Sequence, residues 1–165
     1  MIGISRHTDY AMRIVLHLSA LPESTQVTAD EIARKRLLPR AFMRRIIVRL
    51  AEAKILRTVR GAGGGIMLAR PASEISMFEV VVAMEREVTL NPCVDHPLSC
   101  PLSVSCPVNR AWEGVTKQLQ TTLSGIRFDQ LANAIEPKSA KAGYTDPPSA
   151  GAGRKSAKGG RRGRS

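Results

Sequence analysis

Three cysteines are the residues of this sequence best suited to chemistry, and they lie in one short segment. Cys93, Cys100 and Cys106 are the only cysteines of the 165-residue chain and fall within fourteen consecutive positions. Thiolates are soft ligands that suit iron–sulfur clusters, zinc and Cu(I). Residues 93–107 also contain three prolines, Pro97, Pro101 and Pro107, so a regular helix cannot run through them. We therefore predict an ordered loop over residues 91–107 that presents three thiols to a metal ion or cluster.

Other interpretations of the cysteines are open. Free cysteine often packs as a small buried hydrophobe, although the Pro, Ser and Asp neighbours disfavour a core segment. A disulfide framework is disfavoured because the cysteine count is odd and the N-terminus lacks the apolar run of a signal peptide. We therefore expect a cytoplasmic protein with reduced thiols. Asp95 and His96 lie inside the loop and compete as a fourth ligand, and three cysteines with His96 also suit zinc.

Composition narrows the class of partner. The net charge is +11, and 43% of the residues are hydrophobic, which suffices for a core. An excess of basic residues favours a polyanionic partner, whereas the 4% aromatic content disfavours a base-stacking surface for single strands. No apolar run reaches the length of a membrane span. No arrangement of Ser, His and acidic residues typical of a hydrolase stands out, so we expect a protein that is not an enzyme.

The first half of the chain predicts a helix-turn-helix. Apolar residues recur at helical spacing over residues 5–20. Thr28 and Glu31 form the pattern of a capping box, which predicts a short second helix ending near Arg36. A basic helix then runs from Arg40 to about Lys54 after a turn at residues 37–39. A short helix, a turn and a basic helix together are typical of a DNA-reading unit.

A glycine-rich turn follows the basic helix. Two short β-prone runs, residues 55–60 and 66–70, flank Gly61–Gly65. This pattern predicts a β-hairpin, because glycine supplies positive φ and allows close backbone approach. A hairpin directly after a helix-turn-helix is the wing of a winged-helix domain.

The second half predicts two further helices and a basic tail. Ser76 and Glu79 form another capping box pattern, which starts a helix that ends before Pro92. Residues 108–126 show a heptad seam that packs either on its own domain or on a second subunit. The seam consists of Val108, Trp112, Val115, Leu119, Thr122 and Ile126. Residues 137–165 consist mainly of Gly, Ala, Ser, Pro, Lys and Arg, with Tyr144 as the one aromatic residue. They are expected to be disordered, either as a nonspecific nucleic-acid arm or as a solubilising tail.

Five features in this chain order resemble one family. They are Thr8–Ala11 on the first helix, the segment Thr28–Ala33, the basic helix, the wing turn with Leu68–Pro71, and the three-cysteine loop. Together they resemble the Rrf-two family of bacterial winged-helix regulators over roughly residues 1–132. The resemblance implies a homodimeric repressor that binds a palindromic double-stranded DNA operator. It also implies that the long helix after the loop forms the dimer seam, and that the three cysteines bind an iron–sulfur cluster.

The fourth ligand distinguishes branches of this family. In the branch that regulates iron–sulfur biogenesis, a histidine follows the last cysteine by three residues, but here that position holds Asn109. In the nitric-oxide-sensing branch (NsrR-like), an aspartate of the first helix reaches the partner subunit's cluster, and Asp9 matches that position. The resemblance therefore implies a nitric-oxide sensor with Asp9 as ligand. From the residues alone, Asp9 is better explained as an ordinary acid near a helix N-terminus, where it favours the helix dipole. Cluster nuclearity, 2Fe–2S or 4Fe–4S, stays open.

The predicted architecture is mainly α-helical with a small β-hairpin. We expect a winged helix-turn-helix domain in residues 1–90, the cysteine loop in 91–107, a dimerisation helix in 108–136 and the basic tail in 137–165. Arg45 and Arg49 are equally well explained as solvated residues of the basic helix. The predicted DNA-binding residues are Thr28, Arg40, Ala41, Arg44, Arg45, Arg60, Gly61, Gly63 and Gly64.

Two alternatives to a nitric-oxide-sensing repressor remain. One is a regulator of the same fold that senses iron–sulfur, redox or cysteine status. The other, of a different class, is a small iron–sulfur or zinc protein without DNA function. The basic helix and the wing have no use in such a protein, which ranks it lower.

Overall fold

A computed structural model describes residues 4–61, 63–85 and 88–135, and the tail predicted for residues 137–165 lies outside them. The described part of the chain contains seven α-helices and one two-stranded sheet. In chain order these are α1 (Arg6–Ser19), α2 (Ala29–Arg36), α3 (Arg40–Glu52), β1 (Leu56–Val59), β2 (Gly65–Leu68), α4 (Met77–Glu85), α5 (Pro92–Asp95), α6 (Pro107–Gly125) and α7 (Phe128–Asn133).

Helix α1 lies at the centre of the core. Its Ala11, Ile14 and Val15 are fully buried, as their helical spacing predicts. The helix packs against α2, α3, α4 and α7, and the Ser5 hydroxyl caps its start by accepting the Thr8 backbone N–H at 3.3 Å. Helices α2 and α3, which carry the predicted DNA-binding residues, therefore both contact α1 directly.

The helix-turn-helix forms as predicted, with one shorter boundary. Helix α2 ends at Leu37, which adopts a left-handed conformation (φ 53°, ψ 50°). The chain then turns through Pro39 into α3. We predicted that α3 extends to about Lys54, but it ends at Glu52, because Lys54 itself has φ 56° and cannot continue a right-handed helix.

Only one of the two hydrogen bonds of the first predicted capping box forms. The Thr28 hydroxyl accepts the Glu31 backbone N–H at 3.2 Å. The Glu31 side chain pairs instead with Lys35 at 2.8 Å. The second box is complete: Glu79 Oε2 accepts the Ser76 backbone N–H at 2.8 Å, and the Ser76 hydroxyl accepts the Glu79 backbone N–H at 3.3 Å.

The predicted wing is an antiparallel hairpin. Its register runs from Leu56 opposite Leu68 to Val59 opposite Gly65. An isolated bridge ties it to the chain just before α2, because the Val27 N–H donates to the Ile66 carbonyl at 3.0 Å and the Ile66 N–H donates back at 2.8 Å. The wing is therefore fixed relative to the helix-turn-helix.

Helix α6 turns its predicted seam away from its own domain. Thr116 is its buried residue and accepts the Leu90 N–H at 3.4 Å. Four of the six seam residues are exposed: Val108 by 61%, Val115 by 50%, Leu119 by 36%, and also Thr122. Trp112 and Ile126 are half-buried. Of the two packing options for the seam, the structure disfavours packing on the same domain. No helix in the described ranges is long and apolar enough to cross a membrane.

Candidate functional site

The cysteine loop connects α4 to α6. Cys93 lies in the one-turn helix α5, Cys100 follows a 3-10 turn at Pro97–Ser99, and Cys106 is the residue that begins α6. All three thiols are free and half-buried. The structure thus confirms that the prolines break this segment into short turns, and it leaves each thiol available for a ligand bond.

Two asparagines fix the backbone of Cys93. The Asn91 side-chain oxygen accepts the Cys93 N–H at 3.3 Å, and the Asn109 side-chain amide donates to the Cys93 carbonyl at 2.9 Å. Asn109 occupies the position at which the resemblance would place a histidine ligand in one branch. Here its side chain ties the start of the loop to the first turn of α6, so its observed role is structural.

Ser103 gives an independent indication that the loop holds a group. Ser103 lies between Cys100 and Cys106 and is 6% exposed. Its hydroxyl oxygen is buried and has no hydrogen-bond partner among the residues that the structure describes. A buried hydroxyl without a partner is uncommon and calls for an explanation. Sulfur atoms of iron–sulfur clusters accept such hydrogen bonds, so the three thiols and this hydroxyl are chemically suited to an iron–sulfur cluster.

The side chains do not form an ion-sized site within one chain. In residues 4–61, 63–85 and 88–135, no group of three or more His, Cys, Asp or Glu side chains is close enough to hold a metal ion. Asp95 and His96, the competing ligands within the loop, are exposed. The three thiols, predicted to meet at one point, are therefore not gathered there in the described chain, either for a cluster or for a zinc ion with His96.

Asp9 lies near the start of α1 and pairs with Arg13. The distance from Asp9 Oδ2 to Arg13 Nη2 is 2.8 Å, and the Asp9 side chain is 43% exposed. Within one chain this is the ordinary role that the residues alone suggest for an acid in a first helical turn. Asp9 remains accessible to a second subunit, and its role as a ligand stays a prediction.

Helix α3 exposes three of its four arginines. Arg40, Arg44 and Arg45 are exposed, as is Ala41. Arg40 pairs with Asp30 at 3.3 Å, but both side chains are more than 70% exposed. An ion pair this exposed contributes little, so Arg40 can exchange Asp30 for a phosphate or a base edge.

The backbone geometry of the wing turn requires glycine at two of the three predicted glycine positions. Gly61 has φ 114°, a conformation that side chains rarely adopt. At Gly64 an added Cβ would lie 2.3 Å from the Val59 carbonyl oxygen. Gly63 meets no such restriction. The turn holds Arg60 at an exposed position, where it can extend away from the hairpin.

Sequence reasoning missed the residues that join α4 to the rest of the domain. Arg49 was interpreted as solvated, but it is half-buried and donates to the Met84 carbonyl at 2.5 Å. Glu85 accepts the Ser5 N–H at 3.0 Å and the Thr8 hydroxyl. Burial would raise the Glu85 pKa, but these hydrogen bonds outweigh burial and hold the pKa below its ordinary value. No local pattern signals these contacts, because the partners lie 35 to 80 residues apart.

Phe42 and His17 each make a contact that the sequence did not predict. Phe42, on α3, packs its ring edge-on against His7 at 5.0 Å and near Tyr10 at 6.2 Å. His17 is buried, and its Nδ1 accepts the Arg36 Nε–H at 3.2 Å. Burial lowers the His17 pKa, and the nearby Arg36 charge lowers it further. Both contacts attach α1 to the helix-turn-helix.

A helix-turn-helix with an attached hairpin, an exposed basic helix and a loop of thiols defines a winged-helix DNA-binding regulator. Residues 4–134 match the family model described as "Rrf2: Iron-dependent Transcriptional regulator". The chain belongs to the Rrf2 family, which confirms the resemblance drawn from its motifs. It is a transcriptional regulator and not an enzyme.

Relatives and solved structures agree with this assignment. "Protein aau3" of Rhizobium meliloti (strain 1021) is 33% identical over 132 residues, which are 79% of this chain and 85% of that protein. The "HTH-type transcriptional regulator NsrR" of Oceanobacillus iheyensis is 27% identical over 124 residues, 72% of this chain and 84% of the relative.

Two solved structures show the same fold. CymR, the global cysteine regulator of B. subtilis, superimposes with a TM-score of 0.69 at 19% identity, covering 82% of this chain and all of CymR. T. potens IscR gives a TM-score of 0.65 at 22% identity, covering 86% of this chain and 94% of IscR. These likenesses confirm the predicted winged-helix architecture.

Proposed function

We propose that this chain is a homodimeric repressor whose operator affinity is set by an iron–sulfur cluster on Cys93, Cys100 and Cys106, with nitric oxide as the signal. One observation carries the proposal: the three free thiols and the unpaired Ser103 hydroxyl lie on one loop. That loop follows α4. The last two residues of α4 are hydrogen-bonded to neighbouring helices: Glu85 accepts from Ser5 at the start of α1, and the Met84 carbonyl accepts from Arg49 of the reading helix α3. A change in the loop therefore has a short route to the DNA-contacting surface.

Cys93, Cys100 and Cys106 would hold the group, and the Ser103 hydroxyl would be available as a hydrogen-bond donor to it. When bound, such a cluster supplies iron to which nitric oxide binds. Asp9 of the partner subunit is the proposed fourth ligand, supported by the match of its position to the nitric-oxide-sensing branch. Its 43% exposure leaves it accessible to a second copy. Without such a ligand bond, Asp9 would pair with Arg13 as it does within one chain, so the two states would differ in the restraint on α1.

The DNA interface consists of α3, the start of α2 and the wing. Arg40, Ala41 and Arg44 lie in the first turns of α3, which in a helix-turn-helix approach the base edges. Arg45 and the Thr28 hydroxyl, both exposed, are expected to contact phosphate. Arg60, held by the turn of Gly61, Gly63 and Gly64, reaches the flanking minor groove or its phosphates. An arginine that reads guanine contributes about 1–3 kcal/mol of discrimination.

The exposed apolar seam supports a second copy of the chain as partner. Val108, Val115 and Leu119 are exposed along one side of α6, and Leu98 and Val104 of the loop are almost fully exposed. Contiguous apolar surface of this kind marks an interface. Because the loop and the seam adjoin, dimerisation would cover the cysteines and bring the partner's α1 near them.

The first experiment tests the cluster. Protein purified without oxygen should contain iron and sulfide and absorb visible light, and nitric oxide should bleach it. Cys93→Ser should abolish the absorbance. Ser103→Ala should lower iron retention, while Ser99→Ala, which removes an exposed hydroxyl of the same loop, should not. Protein without iron or sulfide after reconstitution would refute the cluster.

The second experiment tests DNA reading. An operator is selected from random double-stranded DNA by the full-length protein. Arg40→Ala and Arg44→Ala should lower the preference for that operator about 5- to 150-fold. Lys117→Gln, an equal charge loss on α6, should not. Equal weakening of all sequences by the α3 variants would reduce their role to phosphate contact.

A second candidate is a regulator of the same fold that responds to cysteine or redox status through bare thiols. It is favoured by the likeness to CymR, a global cysteine regulator, and by three thiols that are free and half-buried. Colourless protein that binds the operator and responds to oxidants would support it. Membership of a family of transcriptional regulators disfavours the alternative without DNA function.

A further inference from the structure

A cavity lies apart from the cysteine loop and the DNA-reading residues. Its volume is about 500 Å³. The end of α1, the loop of residues 21–25, the hairpin, the segment 69–73 and Asp129 of α7 form its walls. None of these residues belongs to the predicted cluster ligands or DNA contacts. A cavity of this size is within the range of small-molecule sites.

The cavity wall carries the carboxylate of Asp129. Its Oδ1 is buried without a hydrogen-bond partner within the described residues, while the side chain as a whole is only half-buried and lines the cavity. A ligand can therefore reach the accessible part of this carboxylate, and a charged donor such as an ammonium group forms a strong hydrogen bond to a carboxylate. The wall that carries Asp129 therefore favours a ligand with a positively charged or hydroxyl donor.

The cavity also contains one arginine that lacks an acid. Arg57 contacts the Met67 sulfur at 3.3 Å, a weak acceptor, and no acidic partner of Arg57 occurs in residues 4–61, 63–85 or 88–135. Arg70 differs, because it pairs with Glu79 and donates to the Glu74 carbonyl at 2.7 Å. Only Arg57 is therefore free to bind a carboxylate in the bidentate manner typical of arginine.

We propose that this cavity binds a small zwitterion, a molecule with a carboxylate for Arg57 and a protonated amine for Asp129. A simple anion such as phosphate would leave the Asp129 oxygen unsatisfied. A simple cation would leave Arg57 without an acid. A free amino acid carries both charges and is small enough for a cavity of this volume.

Occupation of the cavity would act on the wing. The cavity wall includes Thr25, two residues before Val27, and Met67, the residue after Ile66. Val27 and Ile66 form the bridge that attaches the hairpin to the start of α2. A ligand that holds both walls restrains this bridge and so the position of the wing. This effect on DNA rests on the proposed function, whereas binding of the ligand does not.

The test begins without DNA. Full-length protein is titrated calorimetrically and by thermal melting with each of the twenty common amino acids, with acetate and methylammonium as single-charge controls. At least one amino acid should raise Tm by about 3–8 °C at ten times its Kd, and neither control should. No heat and no shift with any amino acid would show that the cavity holds solvent only and would overturn the proposal.

Variants locate the site and separate the two proposals. Arg57→Gln and Asp129→Asn should each weaken the binding of that amino acid about 10-fold or more. Arg110→Gln and Glu113→Gln, matched changes on α6, should leave its binding unchanged. Unchanged binding in both cavity variants would overturn the location. Operator affinity with the amino acid present should differ at least about 5-fold from that without it. Binding without this difference would overturn the effect on the wing, and failure of DNA binding itself would leave the calorimetric result standing.

Discussion

The Asn109 side-chain amide donates to the Cys93 carbonyl oxygen at 2.9 Å, so the first cysteine of the loop is held by the helix that the last cysteine begins. The two residues are 16 positions apart. This hydrogen bond closes the loop at its base and limits the separation of Cys93 from Cys106. We infer that it prepares the thiols for a shared ligand before any ligand binds.

Asn109→Ala should loosen the loop. The variant leaves a half-buried carbonyl without its donor, which costs about 1–3 kcal/mol. We expect iron to be lost from the reconstituted protein at least about 5-fold faster, as followed by visible absorbance in the presence of a chelator. Gln118→Ala, an exposed amide on the same helix, is the control. Equal iron loss in both variants would contradict the role given to Asn109.

Glu85 should make stability depend on pH in the acidic range. Its pKa in the folded protein lies below the ordinary value of 4.5, so the unfolded chain binds more protons as the pH falls. The contribution of Glu85 is therefore present above the unfolded pKa and is lost as pH falls through the folded pKa. Urea unfolding between pH 3 and 7 should show a smaller acidic loss in Glu85→Gln than in the wild type.

Thr8 provides the matching variant for Glu85. Thr8→Val removes the hydroxyl donor at constant shape and should destabilise the domain by about 1–3 kcal/mol. The double variant with Glu85→Met, which has no side-chain oxygen to accept the bond, should cost less than the sum of the two single variants, because each removes the same hydrogen bond. Strict additivity would show that the two side chains do not interact in solution.

Because of His17, the folded domain should become less stable as the pH is lowered mildly. Burial and the Arg36 charge depress its pKa in the folded protein below 6.5, so the unfolded chain takes up the proton first. Stability contributed by neutral His17 is complete above pH 6.5 and decreases as the pH falls from there toward the folded pKa. His17→Gln should lose this dependence, as measured by Tm between pH 5 and 7.5, while His96→Gln, at an exposed position, should keep it.

The wing glycines should differ in their effects on stability. Gly64→Ala places a Cβ against the Val59 carbonyl, and Gly61→Ala forces a side chain into φ 114°. Each should destabilise the domain by more than about 1 kcal/mol. Gly63→Ala meets no atom within 4 Å and should leave Tm unchanged. A lower Tm for Gly63→Ala than for Gly64→Ala would contradict the observed turn.

The sequence by itself determined the elements and the loop. Helical spacing of apolar residues predicted α1 and α3, and the Ser76–Glu79 pattern predicted the start of α4. Glycines predicted the wing, and prolines predicted the broken segment that carries the thiols. These signals are local, because backbone geometry repeats within a few residues. The same signals placed the exposed Arg40 and Arg44 on the basic helix, and the order of motifs indicated the family.

Only the tertiary structure decided how these elements are connected. It turned Arg49 inward to the Met84 carbonyl and brought Glu85 to Ser5 and Thr8, which no spacing predicts because the partners lie far apart in the chain. It also decided that the α6 seam faces outward and that Arg57 and Asp129 line one cavity. Hydrogen bonds and cavities of this kind depend on which surfaces meet after folding, and that is a property of packing rather than of any segment.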